Sequence, residues 1–256
     1  MPHESPTKPL TDTAAPSVDR NWALFLDLDG TLLDIASTPD AAVVPEGLLD
    51  LLAGLHGALG NAVALISGRS ITTLDALLAP LRLPAAGQHG AEIRDRHGAE
   101  IVPLYNRSLD AKLIQRLRDF ARERPGIVVE CKGASAAIHY RNAPRYKDEI
   151  GRLLAELLDD QEDFALLSSR MAFDIKPQVV HKGTAIDWLM GRPPFLGRIP
   201  VFAGDDRTDE DGFAAVSRLG GYAIGVGDHV SAKYHLSSPE TCRDWLAASL
   251  AILDGR

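Results

Sequence analysis

Two carboxylates separated by one residue follow the first strongly apolar stretch of the chain. Asp27 and Asp29 belong to the segment Asp27-Leu-Asp-Gly-Thr, directly after the apolar residues 22–26. A short continuous apolar run is typical of a strand buried on both faces, and open α/β sheets place their sites at the carboxyl ends of such strands. Paired carboxylates there suit a hard cation such as Mg²⁺, or a nucleophile with a proton-transfer partner. An ordinary acidic turn after a strand is the alternative interpretation.

Other residues that could handle phosphate follow in the sequence. Ser67 ends a second apolar run, and Gly68 and Arg69 come next. The serine hydroxyl and the backbone N–H groups of this turn could hold phosphate oxygens. Lys182 stands before Gly183 at the predicted start of a helix, where its ammonium could neutralise a transferring phosphoryl group. Taken singly, the serine fits a strand-to-helix turn and the lysine an ordinary surface position.

A dense acidic run follows another apolar strand. Residues 204–210 read Gly-Asp-Asp-Arg-Thr-Asp-Glu. Carboxylates this close repel one another strongly unless a cation lies among them. The helix dipole explains Asp209 and Glu210 as the acidic first turn of a helix, but it explains Asp205 and Asp206 less well. The run therefore favours a contribution to a metal site.

Alternating strands and helices must position these groups. Apolar runs at 22–26, 62–66 and 199–203 indicate strands, and the stretches between them carry apolar residues at helical spacing. Strand, loop and helix in this repeating order predict a parallel sheet with helices on its faces. The fold class is therefore α/β, with a Rossmann-like parallel-sheet core.

The middle of the chain has a different pattern. From about residue 104 to 180 the predicted elements follow the order αββ-αββ, which indicates a smaller sheet with two helices on one face. We therefore predict a core made of residues 20–103 and 181–256, interrupted by an α+β insertion at 104–180. Residues 1–19 are rich in Pro, Ser, Thr and Ala and lack the apolar segment of a signal peptide, so a disordered tail is predicted there.

Composition argues against several classes of protein. The formal net charge is −8, and the chain has no basic stripe with interleaved aromatic residues, so nucleic-acid binding is not supported. The apolar stretch 48–66 contains Asp50 and His56 and fits a helix, a turn and a strand better than a membrane span. Cys131 and Cys242 are far apart and in no metal-ligand spacing. We expect a cytoplasmic protein with no membrane partner.

The chemical residues, taken in order, resemble the motifs of a known superfamily. Asp27-x-Asp-Gly-Thr, then Ser67, then Lys182, then Gly204-Asp-Asp resemble those of the haloacid dehalogenase (HAD) superfamily of phosphohydrolases. The resemblance covers nearly the whole chain and implies a HAD core in which the inserted region 104–180 acts as a cap.

The superfamily resemblance implies a role for each residue. Asp27 is the nucleophile that forms an aspartyl-phosphate, and Asp29 protonates the leaving oxygen and then activates water. Ser67 and Lys182 hold the phosphate, which completes the expected catalytic set. Mg²⁺ is the expected cofactor. Its expected ligands are the Asp27 carboxylate, the backbone carbonyl of Asp29 and Asp205, with Asp206 and Asp209 in support.

Features of both predicted domains resemble trehalose-6-phosphate phosphatases. They are the Lys-Gly and His-Tyr-Arg of residues 130–141, Gly-Gln-His-Gly-Ala-Glu at 87–92, Ile-Lys-Pro at 175–177 and Asp-Asp-x-Thr-Asp-Glu at 205–210. This resemblance implies hydrolysis of trehalose 6-phosphate, with a trehalose-6-phosphate synthase as functional partner. A solvated sheet face with cross-strand charge pairs is the alternative for 130–141. The residues expected to contact substrate are Gly68, Arg69, His89, Glu130, Lys132, Arg141, Lys176 and Glu210.

The chain departs from that family's usual pattern in places. Leu28 stands where an aromatic residue is frequent, and Asp174 stands where Glu is usual, so no sugar contact is assigned to Asp174. A related phosphatase acting on sucrose phosphate, mannosylphosphoglycerate or a hexose phosphate is the nearest alternative. A catalytically silent sugar-phosphate-binding module is another, although such a protein should have lost Asp27, Asp29 or Lys182.

Overall fold

The computed structural model describes residues 15–36, 41–96, 98–105, 108–132, 135–159, 161–168 and 171–255, except for the Lys132 side chain. Contacts between residues divide the chain into two units. The larger unit consists of Met1–Val102 and His181–Arg256, and the smaller unit is Pro103–Val180. The larger unit is therefore discontinuous in sequence, whereas the smaller one is a single continuous stretch.

Strands and helices alternate along most of the described chain. The strands are β1 (Trp22–Leu26), β2 (Val63–Ile66), β3 (Ala85–Gly87), β4 (Glu92–Arg94), β5 (Val102–Pro103), β6 (Val128–Lys132), β7 (Ser135–His139), β8 (Phe164–Ser168), β9 (Ala172–Pro177), β10 (Ile199–Gly204), β11 (Tyr222–Val226) and β12 (Tyr234–Leu236). The helices are α1 (Leu48–Ala58), α2 (Ile71–Leu77), α3 (Ala111–Arg122), α4 (Lys147–Leu158), α5 (Lys182–Met190), α6 (Glu210–Arg218) and α7 (Pro239–Leu253).

Eight of the described strands form the larger of the two sheets. Their order is β12-β11-β10-β1-β2-β3-β4-β5. The pairs from β12 to β3 are parallel, and β4 runs antiparallel to β3. The predicted α/β core with a parallel sheet is confirmed. Since β1 lies between β2 and β10, the carboxyl ends of these three strands are neighbours at one edge of the sheet.

Both faces of the central strands are covered, which explains their continuous apolar sequence. Leu24 and Leu26 of β1 belong to an apolar cluster that also contains buried side chains of α1 and α7. On the other face, Phe25 stacks on Phe195 with ring centroids 5.4 Å apart. Side chains alternate along a strand, so neither face of β1 can carry polar residues at low cost. The polar residues are therefore confined to the strand ends.

The smaller unit has its own sheet and its own core. Strands β6-β7-β9-β8 form an antiparallel sheet, and the element order α3-β6-β7-α4-β8-β9 is the predicted αββ-αββ. Leu117 of α3 and Leu154 of α4 pack with Ile138 and Ile175 of the sheet in one apolar cluster. The two helices thus cover one face of the sheet and bury their apolar sides against it.

The opposite face of the smaller sheet carries polar residues. Glu130 is paired with Ala137, which is paired in turn with Asp174. These positions alternate with the cluster residues Ile138 and Ile175, so they point away from the helices. Two carboxylates therefore flank one small residue on the face that the helices leave uncovered.

The predicted disordered tail of residues 1–19 is wrong for its last part. The Val18 side chain is 3% exposed, and the Val18 N–H donates to the Ser249 hydroxyl at 3.2 Å. The Trp245 Nε1–H donates to the Pro16 carbonyl at 2.9 Å. Val18 and Ala15 pack against the core cluster, and α7 supplies a donor and an acceptor for the backbone of this segment. Residues 1–14 lie outside the described part of the chain.

Among the described residues, no helix combines the length and the apolar character that crossing a bilayer requires. The apolar stretch 48–66 consists of α1, a turn at residues 59–61 and β2, as the polar residues within it predicted. Its apolar side chains, among them Leu52 and Leu55, belong to the cluster beneath the large sheet.

Val18→Ala should lower the free energy of unfolding by about 1–2 kcal/mol, because it removes buried methyl groups from the contact with α7. Urea denaturation of the full-length protein measures the change. Val43→Ala is the matched control, since that side chain is 76% exposed and its truncation should have little effect. Equal effects of the two substitutions would contradict the assignment of residues 15–19 to the folded core.

Candidate active site

Asp27 is the first residue beyond β1 and lies at the centre of a buried polar cluster. Its N–H donates to the Ala203 carbonyl of β10 at 2.9 Å, so the ladder between the two strands continues to this residue. It shares the strand parity of Phe25 and points to the same face. The Lys182 ammonium donates to Asp27 Oδ1 at 2.6 Å. Both side chains are almost completely buried.

Lys182 is placed by the start of α5. The preceding residue, His181, caps this helix, since its Nδ1 accepts the Thr184 N–H while the threonine hydroxyl accepts the His181 N–H. The Lys182 ammonium also donates to Asp209 Oδ1 at 2.5 Å. One ammonium therefore joins the end of β1 to the loop beyond β10.

That loop is held by the second oxygen of the same aspartate. Asp209 Oδ2 accepts the N–H groups of Asp205 and Asp206, each at 3.0 Å. The Thr31 hydroxyl donates to Asp205 Oδ1 at 3.2 Å, which links the loop to the turn after β1. Carboxylate oxygens of Asp27, Asp205 and Asp209 consequently lie within 4.8 Å of one another.

The turn after β1 and the loop after β10 approach so closely that position 30 requires glycine. The φ of Gly30 is +90°, a left-handed conformation that side-chain-bearing residues rarely adopt. A Cβ atom there would lie 2.1 Å from Asp205 Oδ2. The glycine of Asp27-Leu-Asp-Gly-Thr thus makes room for the acidic residue contributed by β10.

Burial and mutual repulsion shift the pKa values of the clustered carboxyls. Desolvation raises the pKa of Asp27 to about 6, although the charge and hydrogen bond of Lys182 act in the opposite direction. Desolvation, and then the charge of Asp27, raise the pKa of Asp209 to about 7. Desolvation, and then the charge of Asp209, raise the pKa of Asp205 to about 6. Burial opposes the charged form of Lys182, but the two bound carboxylates outweigh it and raise its pKa.

The donor set fits a hard divalent cation. Three carboxylates face one ammonium, so the cluster carries an excess of negative charge in a buried place. Oxygen ligands of this type are those that Mg²⁺ prefers. A cation among Asp27, Asp205 and Asp209 would relieve the repulsion that raises their pKa values.

Asp29 is held differently from Asp27. Its two carboxylate oxygens accept hydrogen bonds from Arg69 Nε at 2.6 Å and Nη2 at 2.7 Å. Arg69 is 11% exposed at its side chain, against 39% for Asp29. The arginine lies two residues beyond Ser67, and its own N–H donates to the Ser67 hydroxyl at 3.1 Å. Arg69, in the loop after β2, therefore fixes the carboxylate of Asp29, the second aspartate of the motif.

His89 and Gly68 form a further contact at the ends of β2 and β3. A Cβ atom on Gly68 would lie 2.8 Å from His89 Cε1, so a side chain at this position would require the imidazole to move. Gln88 and His89 both have left-handed backbone conformations, with φ of 50° and 58°. The His89 N–H donates to the Ser67 carbonyl at 2.9 Å. Four of the predicted site residues, Ser67, Gly68, Arg69 and His89, thus share one interlocked pair of loops.

Two acidic residues of the 205–210 run lie outside the carboxylate triad. Asp206 Oδ1 accepts the N–H and the hydroxyl of Thr208 at 2.8 Å and 2.6 Å, capping the short 3₁₀ turn Arg207–Asp209. Burial acts against its charged form, but the Thr208 hydrogen bonds and the Lys182 charge lower the pKa of Asp206. Glu210 is exposed at the start of α6. Metal support by Asp206, substrate contact by Glu210 and metal binding by the Asp29 carbonyl stay predictions.

The remaining predicted contacts belong to the smaller unit. Glu130 Oε2 lies 3.2 Å from His139 Nε2, and both side chains are exposed. Lys176 is half-buried in β9, and Arg141 is exposed after β7. Lys132 ends β6, but its side chain lies outside the described part of the chain. Their roles as substrate contacts stay predictions.

Two residues with a clear place in the site carried no assigned role in the sequence analysis. Thr31, buried and bonded to Asp205, stands at the fifth position of Asp27-Leu-Asp-Gly-Thr. Glu92 accepts the N–H of Ile71, the first residue of α2, at 2.6 Å and so fixes the loop that carries Arg69. Thr31 ends the motif Asp27-Leu-Asp-Gly-Thr, and Glu92 ends the motif at residues 87–92. Membership of these motifs is the signal that the sequence offers, whereas the hydrogen-bond partners follow only from the fold.

Comparison with known proteins agrees with this geometry. A sequence model of the trehalose-phosphatase family matches residues 25–244. The chain is 41% identical over 241 residues to the trehalose-6-phosphate phosphatase of Escherichia coli (strain K12), covering 94% of this chain and 90% of the relative. It is 42% identical over 242 residues to a probable trehalose-phosphate phosphatase of Sinorhizobium fredii, with coverage of 91% and 89%.

Solved structures agree at the level of the fold. The C-terminal domain of Candida albicans trehalose-6-phosphate phosphatase superposes with a TM-score of 0.71 at 22% identity, covering 96% of this chain and 99% of that one. With the family match spanning both units and all the clustered carboxylates, the chain belongs to the trehalose-phosphatase family.

Proposed function

We propose that this protein hydrolyses trehalose 6-phosphate to trehalose and inorganic phosphate through an aspartyl-phosphate intermediate. The observation that carries the proposal is the buried Asp27 carboxylate, bound by Lys182 and placed beside two further carboxylates at the carboxyl end of the central strand. Family membership supports the chemical class, and the names of the two relatives support the substrate.

The first step transfers the phosphoryl group to the protein. An Asp27 oxygen forms a bond to phosphorus as the bond from phosphorus to the sugar oxygen breaks, and the electron pair stays on that oxygen. Asp29 donates a proton to the leaving oxygen, because a sugar alkoxide is a poor leaving group without one. Lys182 compensates negative charge beside Asp27 during the transfer.

The second step releases the phosphate. Asp29, now deprotonated, accepts a proton from a water molecule as that water attacks phosphorus, and the Asp27 carboxylate is regenerated. A Mg²⁺ ion held by Asp27, Asp205 and Asp209 would draw negative charge from the phosphate oxygens in both steps. Ser67, with the N–H groups of its loop, would hold the phosphate.

The substrate assignment depends on residues of both units. Glu130 lies on the face of the smaller sheet opposite its helices, and its carboxylate can accept hydrogen bonds from sugar hydroxyls. The residues carried over as sugar contacts are Glu130, Lys132, Arg141, Lys176 and Glu210, and the other predicted substrate-binding residues are Gly68, Arg69 and His89. In this proposal the smaller unit is the cap.

Two further attributes accompany the proposed reaction. Glycosyl transfer to a sugar phosphate would supply the phosphorylated disaccharide, so a trehalose-6-phosphate synthase is the proposed functional partner. Cys131 and Cys242 are free thiols, which fits a reducing cytoplasmic location.

Phosphate release from a panel of sugar phosphates tests the function. The panel contains trehalose 6-phosphate, sucrose 6-phosphate, glucose 6-phosphate and mannosylphosphoglycerate, each with Mg²⁺ and with a chelator. We expect a strong Mg²⁺-dependent preference for trehalose 6-phosphate. Preference for another ester would overturn the sugar contacts assigned to the smaller unit, and folded protein without activity on any ester would favour a silent sugar-phosphate-binding module.

Asp27→Asn should reduce phosphate release by at least about 10³-fold, because an amide cannot form the aspartyl-phosphate. Asp34→Asn, an exposed carboxylate seven residues further along, is the control and should retain activity. Circular dichroism verifies that both variants fold. Substantial turnover by folded Asp27→Asn protein would exclude Asp27 as the nucleophile.

Mg²⁺ should stabilise the protein more at pH 7.5 than at pH 5. Folded pKa values of about 6 for Asp27 and Asp205 and about 7 for Asp209 lie above the value of ~3.9 for an unfolded aspartate. Without a cation, the stability these groups contribute is present below about pH 4 and is lost as the pH rises through about 6–7. A bound cation favours the ionised carboxylates and reverses this loss.

Thermal unfolding with and without Mg²⁺ measures the effect. At ~100 times the dissociation constant we expect a rise in Tm of about 5–10 °C at pH 7.5 and less than half of that at pH 5. Asp205→Asn at matched ionic strength is the control and should lose most of the rise. Equal rises at both pH values would count against the triad as the metal site.

A further inference from the structure

Asp29 and Arg69 form a two-point ion pair that fixes the direction of a reactive carboxylate. Arg69 Nε and Nη2 each donate to a different Asp29 oxygen, at 2.6 Å and 2.7 Å. A guanidinium bound in this way sets both the position and the plane of the carboxylate. A carboxylate offers about four lone-pair sites, so sites on the side away from Arg69 remain for a substrate hydroxyl or a water.

The arginine is itself held from several directions. Its N–H donates to the Ser67 hydroxyl at 3.1 Å, and its carbonyl accepts the Gln88 N–H at 2.9 Å. Glu92 fixes the start of α2 immediately beyond the loop, through the Ile71 N–H at 2.6 Å. The guanidinium therefore extends from a braced loop at the end of β2 to the neighbouring end of β1.

A second ion pair of the same kind provides a comparison within the chain. Arg94 donates to both oxygens of Asp75 at 2.7 Å and also to the Leu83 carbonyl, joining β4 to α2. The carboxylate of that pair is more buried than the Asp29 carboxylate: the Asp75 side chain is 15% exposed and the Asp29 side chain is 39% exposed. A purely structural role therefore suits Arg94, whereas the carboxylate that Arg69 holds remains partly accessible to solvent.

We propose that Arg69 is a positioning residue that acts through Asp29, rather than a direct contact to the substrate phosphate. It aims the Asp29 carboxyl so that its proton passes to the leaving sugar oxygen as the bond from that oxygen to phosphorus breaks and Asp27 bonds to phosphorus. The inference rests on the proposed function, in which Asp29 is the proton donor.

Two phosphate esters with different leaving groups test the proposal. Trehalose 6-phosphate releases an alkoxide that needs a proton, whereas p-nitrophenyl phosphate releases a stable phenolate that does not. The measured quantity is kcat/KM, which reports the steps up to release of the alcohol or phenol and leaves out hydrolysis of the aspartyl-phosphate. The variants are Arg69→Met, Arg69→Lys, Asp29→Asn and the double variant Arg69→Met/Asp29→Asn.

If Arg69 acts through Asp29, the kcat/KM values of the variants should follow a specific pattern. Arg69→Met should lower kcat/KM for trehalose 6-phosphate by about 10²-fold and for p-nitrophenyl phosphate only slightly, and Asp29→Asn should show the same selectivity. The double variant should be no slower than Asp29→Asn alone, because the arginine has no function once its carboxylate is gone. Arg69→Lys should recover part of the loss. Arg218→Met, which breaks an exposed ion pair with Asp187, is the control and should leave both activities unchanged.

Three other outcomes would overturn the proposal in different ways. Equal losses on both esters, with the effects of Arg69→Met and Asp29→Asn multiplying in the double variant, would make Arg69 a phosphate contact. Equal losses together with a lowered Tm would make it a structural residue. If Asp29→Asn itself slows both esters alike, Asp29 is not the proton donor, and the failure lies in the proposed function.

Discussion

The Lys182 ammonium between Asp27 and Asp209 is the interaction on which the site depends. It crosses from α5 to the ends of β1 and β10, and all three side chains are buried. Removing the lysine would leave two carboxylates buried without their counter-ion, a loss far greater than that of an exposed ion pair. The same ammonium allows acidic groups to gather where a transferred phosphoryl group would bring still more negative charge. Both the stability of the folded protein and the proposed phosphoryl transfer therefore require Lys182.

The site combines a buried half and a more exposed half, and the difference follows from the sheet. Asp27 shares the strand parity of Phe25 and faces the region beneath α5, where desolvation raises its pKa. Asp29, beyond the strand, is turned to Arg69 on the neighbouring loop and remains partly exposed. Two aspartates two residues apart thus have different partners and different access to solvent. An environment that separates two carboxylates in this way is a usual basis for giving them different roles.

Much of this arrangement follows from the sequence, and the part that does not has identifiable causes. Apolar runs predicted β1, β2 and β10, and parallel pairing then brings Asp27 and Asp205 to one edge. The pairing of Arg69 with Asp29 could not be predicted, because it depends on side-chain directions in two loops separated by 40 residues. The burial of Val18 was missed because one valine in a segment of small and polar residues gives no periodicity to detect. The hydrogen bonds by which Asp206 caps its short turn could not be predicted either, because composition does not distinguish a cap from a metal ligand.

The discontinuity of the larger unit has a consequence for how the protein is made. Strand β1 pairs with β10, whose residues lie more than 170 positions later, so the central pair of the sheet cannot form until most of the chain has left the ribosome. The smaller unit, Pro103–Val180, is contiguous and its contacts are more local, so it can fold first during synthesis. Until β10 emerges, the apolar edge of β1 has no partner on that side and presents a strand to which other nascent chains could pair. Asp27 and Lys182 lie on either side of the smaller unit in the sequence, so their ion pair can form only after that unit has been synthesised.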